Sequence, residues 1–232
     1  MSAHSASQRR GWLSALVAQV SEYVFEDIEE TVEPPRELIA QPVVAVVAAA
    51  PRSGTSTVAR LLAAELAARR DGSALVLGAA RPRRGSPPSR PAGRLATALG
   101  GAIAVQAVGR ICVAASSDRA AEVNAARYLA PVVLDVAADG SAAGVAAVAD
   151  RIVVVCGVTG EPALLDAVAT VIGGEPLKVV NRVTDTGGWD GRADAQLPES
   201  RLAARAAGMG TRALGPLGSA IAALADALEA GR

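Results

Sequence analysis

The chain has 232 residues, 51% of them hydrophobic, which is enough apolar material to bury the core of one α/β domain with additions. Lys+Arg and Asp+Glu each number 23, so the net charge gives no strong signal for nucleic acid or for an anionic membrane as a partner. Aromatic residues make up only 2%, so alanine, valine, leucine and isoleucine must form the core.

Residues 1–8 are small and polar and are predicted to be a disordered tail. Apolar side chains then recur at helical spacing over residues 9–32, which predicts an amphipathic N-terminal helix. This helix either docks on its own domain or binds a protein partner, because an apolar stripe needs burial. Its acidic end disfavours an anionic membrane surface. Two prolines follow, and residues 33–42 are predicted to be a linker.

The stretch from Val43 to Arg70 has the order strand, small-residue loop, helix, in which backbone N–H groups and a helix N-terminus can cradle a phosphate. The phosphate-loop pattern G-x-x-x-x-G-K-[ST], laid from residue 49 to residue 56, keeps Gly54 and the hydroxyl of Ser56. It replaces the lysine by Thr55, which cannot supply the charge that meets the β- and γ-phosphates. The loop therefore keeps its architecture and loses its charge.

Later segments alternate between strands and helices. A second strand is predicted at 73–79, and residues 80–94 form a loop with five arginines and no acid, either solvated or a contact surface for an anion or a partner. Further strands are predicted at 110–115, 132–136, 151–157 and 177–180, and helices at 118–129, 141–149, 162–172 and 217–230. This alternation predicts an α/β fold whose mostly parallel sheet is flanked by helices, with ligands bound at the carboxyl ends of the strands.

Two cysteines, Cys112 and Cys156, lie inside these apolar runs and are predicted to be reduced core residues. The sequence shows no recognisable signal peptide, and no apolar stretch reaches the roughly 20 residues that a transmembrane helix needs. We therefore expect a cytoplasmic protein without a transmembrane segment.

Asp135 ends one of the predicted strands, where a carboxylate can approach a Mg²⁺ held by a loop hydroxyl. The alternative is that Asp135 only caps its loop.

The chain from about Val43 to Leu228 resembles the ParA/MinD family of P-loop ATPases, which position chromosomes, plasmids, division sites, flagella and pili. The segment APRSGTST (50–57) lies where the family has K-G-G-V-G-K-T-T, and VVLDVAADG (132–140) resembles its switch II, with Asp135 at the aspartate. The segment LKVVNRV (177–183) resembles the strand whose asparagine, here Asn181, contacts the adenine. Residues 149–167 and 196–214 also resemble family segments.

The resemblance implies a P-loop domain over residues 43–230 that binds ATP, with Mg²⁺ at Ser56 and Asp135. The expected nucleotide-binding positions are Pro51, Arg52, Ser53, Gly54, Thr55, Ser56, Thr57, Asn181 and Arg182, the last from its place at the carboxyl end of a predicted strand. No catalytic residue is identified.

Three charged positions of the family are missing. Its signature lysine falls at Ala50, its ordinary loop lysine at Thr55, and its D-x-D in GAARP (78–82), which has no acid. Pro51 and Arg52 also replace two glycines, which crowds the loop. We therefore expect a degenerate Walker A loop with weak ATP binding and weak or absent turnover.

Three functions are open. The first is a pseudo-ATPase that serves as a localisation or scaffold factor for partitioning, division or pilus-type machinery. The second is a slow Mg·ATP-dependent switch in which Arg52 stands in for a lysine, and the third, least favoured, is a small-molecule kinase. We expect a protein partner at the N-terminal helix or at residues 80–94, a homodimer, and recruitment to a membrane-associated complex.

Overall fold

The computed structural model describes residues 39–78, 90–91, 93–99, 105–116, 118–138, 142, 144–184 and 189–230. Contacts divide the chain after Leu38, and all the described residues belong to the unit that begins at Ile39. The predicted tail at 1–8, the predicted helix at 9–32, most of the linker and most of the arginine-rich loop lie outside the described residues.

Nine strands of the described part form one sheet. They are β1 (Val43–Ala48), β2 (Ala74–Gly78), β3 (Arg90–Pro91), β4 (Val105–Val108), β5 (Ile111–Ala114), β6 (Val132–Val136), β7 (Arg151–Gly157), β8 (Leu177–Val183) and β9 (Ala195–Pro198). Six helices accompany them: α1 (Thr55–Arg69), α2 (Arg94–Ala98), α3 (Arg119–Ala126), α4 (Pro162–Ile172), α5 (Ala203–Met209) and α6 (Gly215–Ala230).

The strand order is β3-β4-β5-β2-β6-β1-β7-β8-β9. The seven strands from β5 to β9 in this order pair in parallel, whereas β4 pairs antiparallel with β5, and β3 antiparallel with β4. The prediction of a mostly parallel sheet flanked by helices is therefore confirmed. Because β1 lies between β6 and β7, the loop after β1 emerges at the middle of the carboxyl edge.

Each central strand is buried on both faces. Alternate residues of β1 belong to two different apolar clusters, with Val44 and Val46 on the side of α1 and α6 and Val43 and Val47 on the other. Both clusters consist largely of valine, leucine, alanine and isoleucine, as the composition predicts. Cys112 and Cys156 are buried and form no disulfide.

One predicted helix is wrong. Among the described residues of 141–149 the chain forms turns, in which Val145 N donates to Ala142 O and Val148 N to Val145 O. These are short-range turn bonds, and Gly144 within the segment has low helix propensity. The predicted strand at 177–180 is also too short, since β8 continues to Val183. No described helix is both long and apolar enough to cross a membrane.

Candidate functional site

The loop between β1 and α1 turns at Gly54. This residue has a left-handed backbone with φ 82° and ψ 16°, and its carbonyl oxygen accepts from Thr57 N at 2.9 Å and Val58 N at 3.1 Å. A Cβ at residue 54 would strike the side-chain nitrogen of Asn181. Both the backbone conformation and the close approach therefore require glycine here, and together they place the N-terminus of α1 at the carboxyl edge of the sheet.

Thr55, at the lysine position of the loop pattern, is buried and bonded within the loop. Its Oγ1 lies 2.6 Å from the Oγ of Ser53, which is also buried. The hydroxyl pair closes the loop on itself and provides no positive charge.

Asn181 holds the loop from β8. Its Nδ2 donates to Ser53 O at 3.0 Å, and its backbone oxygen accepts from Val158 N at 3.0 Å. Asn181 as a whole is only 7% exposed. In this structure Asn181 supports the loop, and its contact with an adenine stays a prediction.

Asp135 lies near the carboxyl end of β6 and is 7% exposed. Burial raises the pKa of its carboxyl group above the usual range, and a hydrogen bond from Ser56 and the charges of Arg60 and Arg119 oppose that rise. Arg60 is itself buried on α1, one turn beyond Ser56. Sequence reasoning missed both arginines, although the i,i+4 spacing of Ser56 and Arg60 could have indicated the first.

These elements enclose a pocket of about 500 Å³. Of the predicted site residues, the structure brings Asp135 and Arg182 to the pocket wall together with residues 51–57 of the loop. Asn181 lies behind the loop and is not part of this wall. The pocket therefore contains two arginines, one carboxylate and the backbone of a helix N-terminus.

Comparisons with known proteins show what this arrangement is similar to. No protein-family model matches the sequence, and no curated protein matches it significantly. Solved structures do match: a ParA family ATPase from Chlorobium tepidum TLS gives a TM-score of 0.56 at 15% identity, covering 80% of this chain and 98% of that one. The chain has the fold of the ParA and MinD structures.

Two MinD structures support this assignment. MinD in the MinC:MinD cell division protein complex of Aquifex aeolicus gives a TM-score of 0.53 at 16% identity, covering 82% of this chain and 96% of that one. The septum site-determining protein MinD of Pyrococcus horikoshii OT3, solved with Mg-ADP, gives a TM-score of 0.52 at 15% identity. This match covers 82% of this chain and 96% of that one.

The oxygen donors at the loop between β1 and α1 fit a Mg²⁺ ion. The Ser56 hydroxyl and the Asp135 carboxylate are oxygen ligands that already contact each other, and Mg²⁺ sites that bind nucleotides use one or two carboxylates together with phosphates and water. No cluster of three or more His, Cys, Asp or Glu able to hold a metal occurs among the described residues. A bound Mg²⁺ would therefore depend on the phosphates for most of its charge balance.

We expect Asp135→Asn to raise the free energy of unfolding at pH 7. Because the folded-state pKa is raised, ionisation of Asp135 destabilises the folded protein at pH values above that pKa. Asparagine has no charge to desolvate and can still accept from Ser56. The gain should disappear below pH 3.8, the ordinary pKa, where the carboxyl group becomes protonated in both states. Urea unfolding at the two pH values tests this, and a loss of stability at pH 7 would contradict it.

Proposed function

We propose that this chain is a ParA/MinD-like P-loop protein with a degenerate nucleotide site, acting as a localisation or scaffold factor for partitioning, division or pilus-type machinery. The observation that carries the proposal is the loop itself. The loop has the turn at Gly54 and the hydrogen bond between Ser56 and Asp135. At the lysine position, however, it has Thr55, whose buried hydroxyl contacts that of Ser53.

The proposed ligand is ATP or ADP with Mg²⁺. Support comes from the pocket at the N-terminus of α1 and from the fold, since the similar Pyrococcus MinD structure contains Mg-ADP. Backbone groups of residues 51–57 would cradle the phosphates, and Ser56 and Asp135 would hold the ion. When bound, Mg²⁺ neutralises phosphate charge.

Weak or absent turnover follows from the missing charges. In phosphoryl transfer, positioned cations stabilise the negative charge that develops in the transition state, and losing a single preorganised donor costs roughly 3–4 kcal/mol. Thr55 bonds to Ser53 and supplies no charge, and residue 50 is an alanine. We infer that the protein binds nucleotide and hydrolyses it slowly or not at all.

One observation favours the alternative of a slow Mg·ATP-dependent switch. Ser56 and Asp135 are in contact and could together hold a metal ion. Two arginines line the same pocket and could neutralise the negative charge of the phosphates. In this alternative Arg52 replaces the loop lysine.

A protein partner is part of the proposal. The similar Aquifex MinD structure is a complex with MinC. We propose that this chain also acts through a partner, at residues 9–32 or 80–94, as a homodimer, and within a membrane-associated complex.

Calorimetric titration of the full chain with ATP and ADP, with and without Mg²⁺, tests the proposal. We expect dissociation constants above about 1 μM, because tighter binding needs more than about 8 kcal/mol without the lysine. Asp135→Ala should weaken binding mainly when Mg²⁺ is present. Submicromolar affinity, or steady phosphate release that Asp135→Ala abolishes, would contradict the proposal and favour the switch.

A further inference from the structure

Two arginines from different elements converge on the phosphate-loop pocket. Arg52 belongs to the loop, and Arg182 lies in β8, where a bulge shifts the register with β9 between Asn181 and Val183. The Nη2 atom of Arg182 is 3.9 Å from the position that a Cβ on Gly54 would occupy. Its guanidinium therefore lies beside the turn that leads into α1.

Both arginines have unusual backbones. Arg52 has φ 65° and Arg182 has φ 64°, and within the described part of the chain only one other non-glycine residue, Asp71, has a positive φ. This left-handed region is unfavourable for a residue with a Cβ, whereas glycine adopts it freely. What each position contributes beyond a glycine is therefore its side chain, and both residues line the pocket.

The positive charges of Arg52 and Arg182 are available to bind a ligand. Neither guanidinium forms a hydrogen bond or ion pair with another residue that the structure describes. The one carboxylate in the pocket wall, Asp135, already accepts from Ser56 and is balanced by Arg60 and Arg119. The pocket is consequently electropositive and suits an anion.

We propose that Arg52 and Arg182 form an arginine clamp for the phosphate groups of the bound nucleotide, with Arg182 making the principal contact in place of the missing lysine. The clamp rests on the proposed nucleotide-binding function. A guanidinium presents a planar fork of N–H donors that matches phosphate oxygens in a bidentate arrangement, so the clamp supplies direction as well as charge.

The test measures binding of ATP, ADP, pyrophosphate and adenosine to the full chain at fixed ionic strength. Arg182→Gln should lower the affinity for ATP and ADP about tenfold, as expected for losing a charge-assisted contact, and leave that for adenosine unchanged. Arg52→Gln should have a smaller effect. Arg110→Gln removes the same charge from an exposed residue in the β4–β5 turn, and it should bind ATP within twofold of wild type.

Arg182→Gly separates binding from folding. Glycine adopts the left-handed conformation of residue 182 without steric strain, so the unfolding temperature should not fall. The affinity for ATP should nevertheless fall as much as in Arg182→Gln. Equal ATP binding by wild type, Arg182→Gln and Arg52→Gln would overturn the clamp alone. Absence of binding in wild type would overturn both the clamp and the nucleotide site. Pyrophosphate binding as tight as ADP binding, without adenosine binding, would support the clamp and overturn the nucleotide as its ligand.

Discussion

Glu65→Ala is expected to lower the free energy of unfolding by about 2 kcal/mol, since it removes a buried carboxylate that accepts charge-assisted hydrogen bonds from two arginines. The Glu65 side chain is 5% exposed on α1. It accepts from Arg212 Nε at 2.6 Å and Nη2 at 3.1 Å, and from Arg69 Nε at 3.1 Å. Through these contacts Glu65 joins α1 to the segment between α5 and α6.

Arg69 also pairs with other carboxylates, and one of them, Asp226, provides a control substitution. Its Nη1 donates to Asp226 Oδ1 at 2.7 Å, but the Asp226 side chain is 72% exposed. Exposed pairs of this kind contribute roughly 0–1 kcal/mol, so Asp226→Ala should change stability by less than about 1 kcal/mol. Urea unfolding of the two variants beside wild type measures the difference. Equal effects of the two substitutions would show that burial of Glu65 is unimportant.

The elements that were predictable from sequence have local causes. The helix predicted at 162–172 is α4 (Pro162–Ile172), because proline suits the first helical turn and Gly173, with φ 73°, ends the helix. β6 and β7 also have their predicted bounds, since both are short, mostly apolar runs whose central residues are buried. The turn at Gly54 was predictable from the small residues between an apolar run and a helix pattern.

The elements that were missed depend on distant partners. β9 (Ala195–Pro198) is four residues of mixed polarity that become a strand by pairing with β8. In the site, Arg60 and Arg119 reach Asp135 only because α1 and α3 lie near the end of β6, and no local pattern predicts that. Its place at the carboxyl end of a strand predicts Arg182 as a binding residue, but its left-handed backbone and its approach to Gly54 are shown only by the structure.

Gly78→Ala should destabilise the protein by about 2–3 kcal/mol, the upper part of the range for overpacking a tightly packed interior. Gly78 ends β2 and pairs with Asp135 of β6. A Cβ at residue 78 would overlap the Asp135 carbonyl oxygen and lie 2.8 Å from the Asp135 Cβ. These are backbone and Cβ atoms, which cannot rotate away, so the two strands would have to separate at their carboxyl ends.

Gly144→Ala is the matched control, because a Cβ there would meet no atom within 4 Å. We expect that change to stay within about 0.5 kcal/mol of wild type in urea unfolding. The separation caused by Gly78→Ala should also displace Asp135 from Ser56, so any Mg²⁺-dependent gain in ATP affinity should be lost with it. A carboxylate side chain at residue 78 would meet the same atoms of Asp135, which excludes an acid from the first position of the segment where the ParA/MinD family has its D-x-D. Gly78→Ala as stable as Gly144→Ala would mean that β2 and β6 can move apart freely, and that position would then be open to an acid.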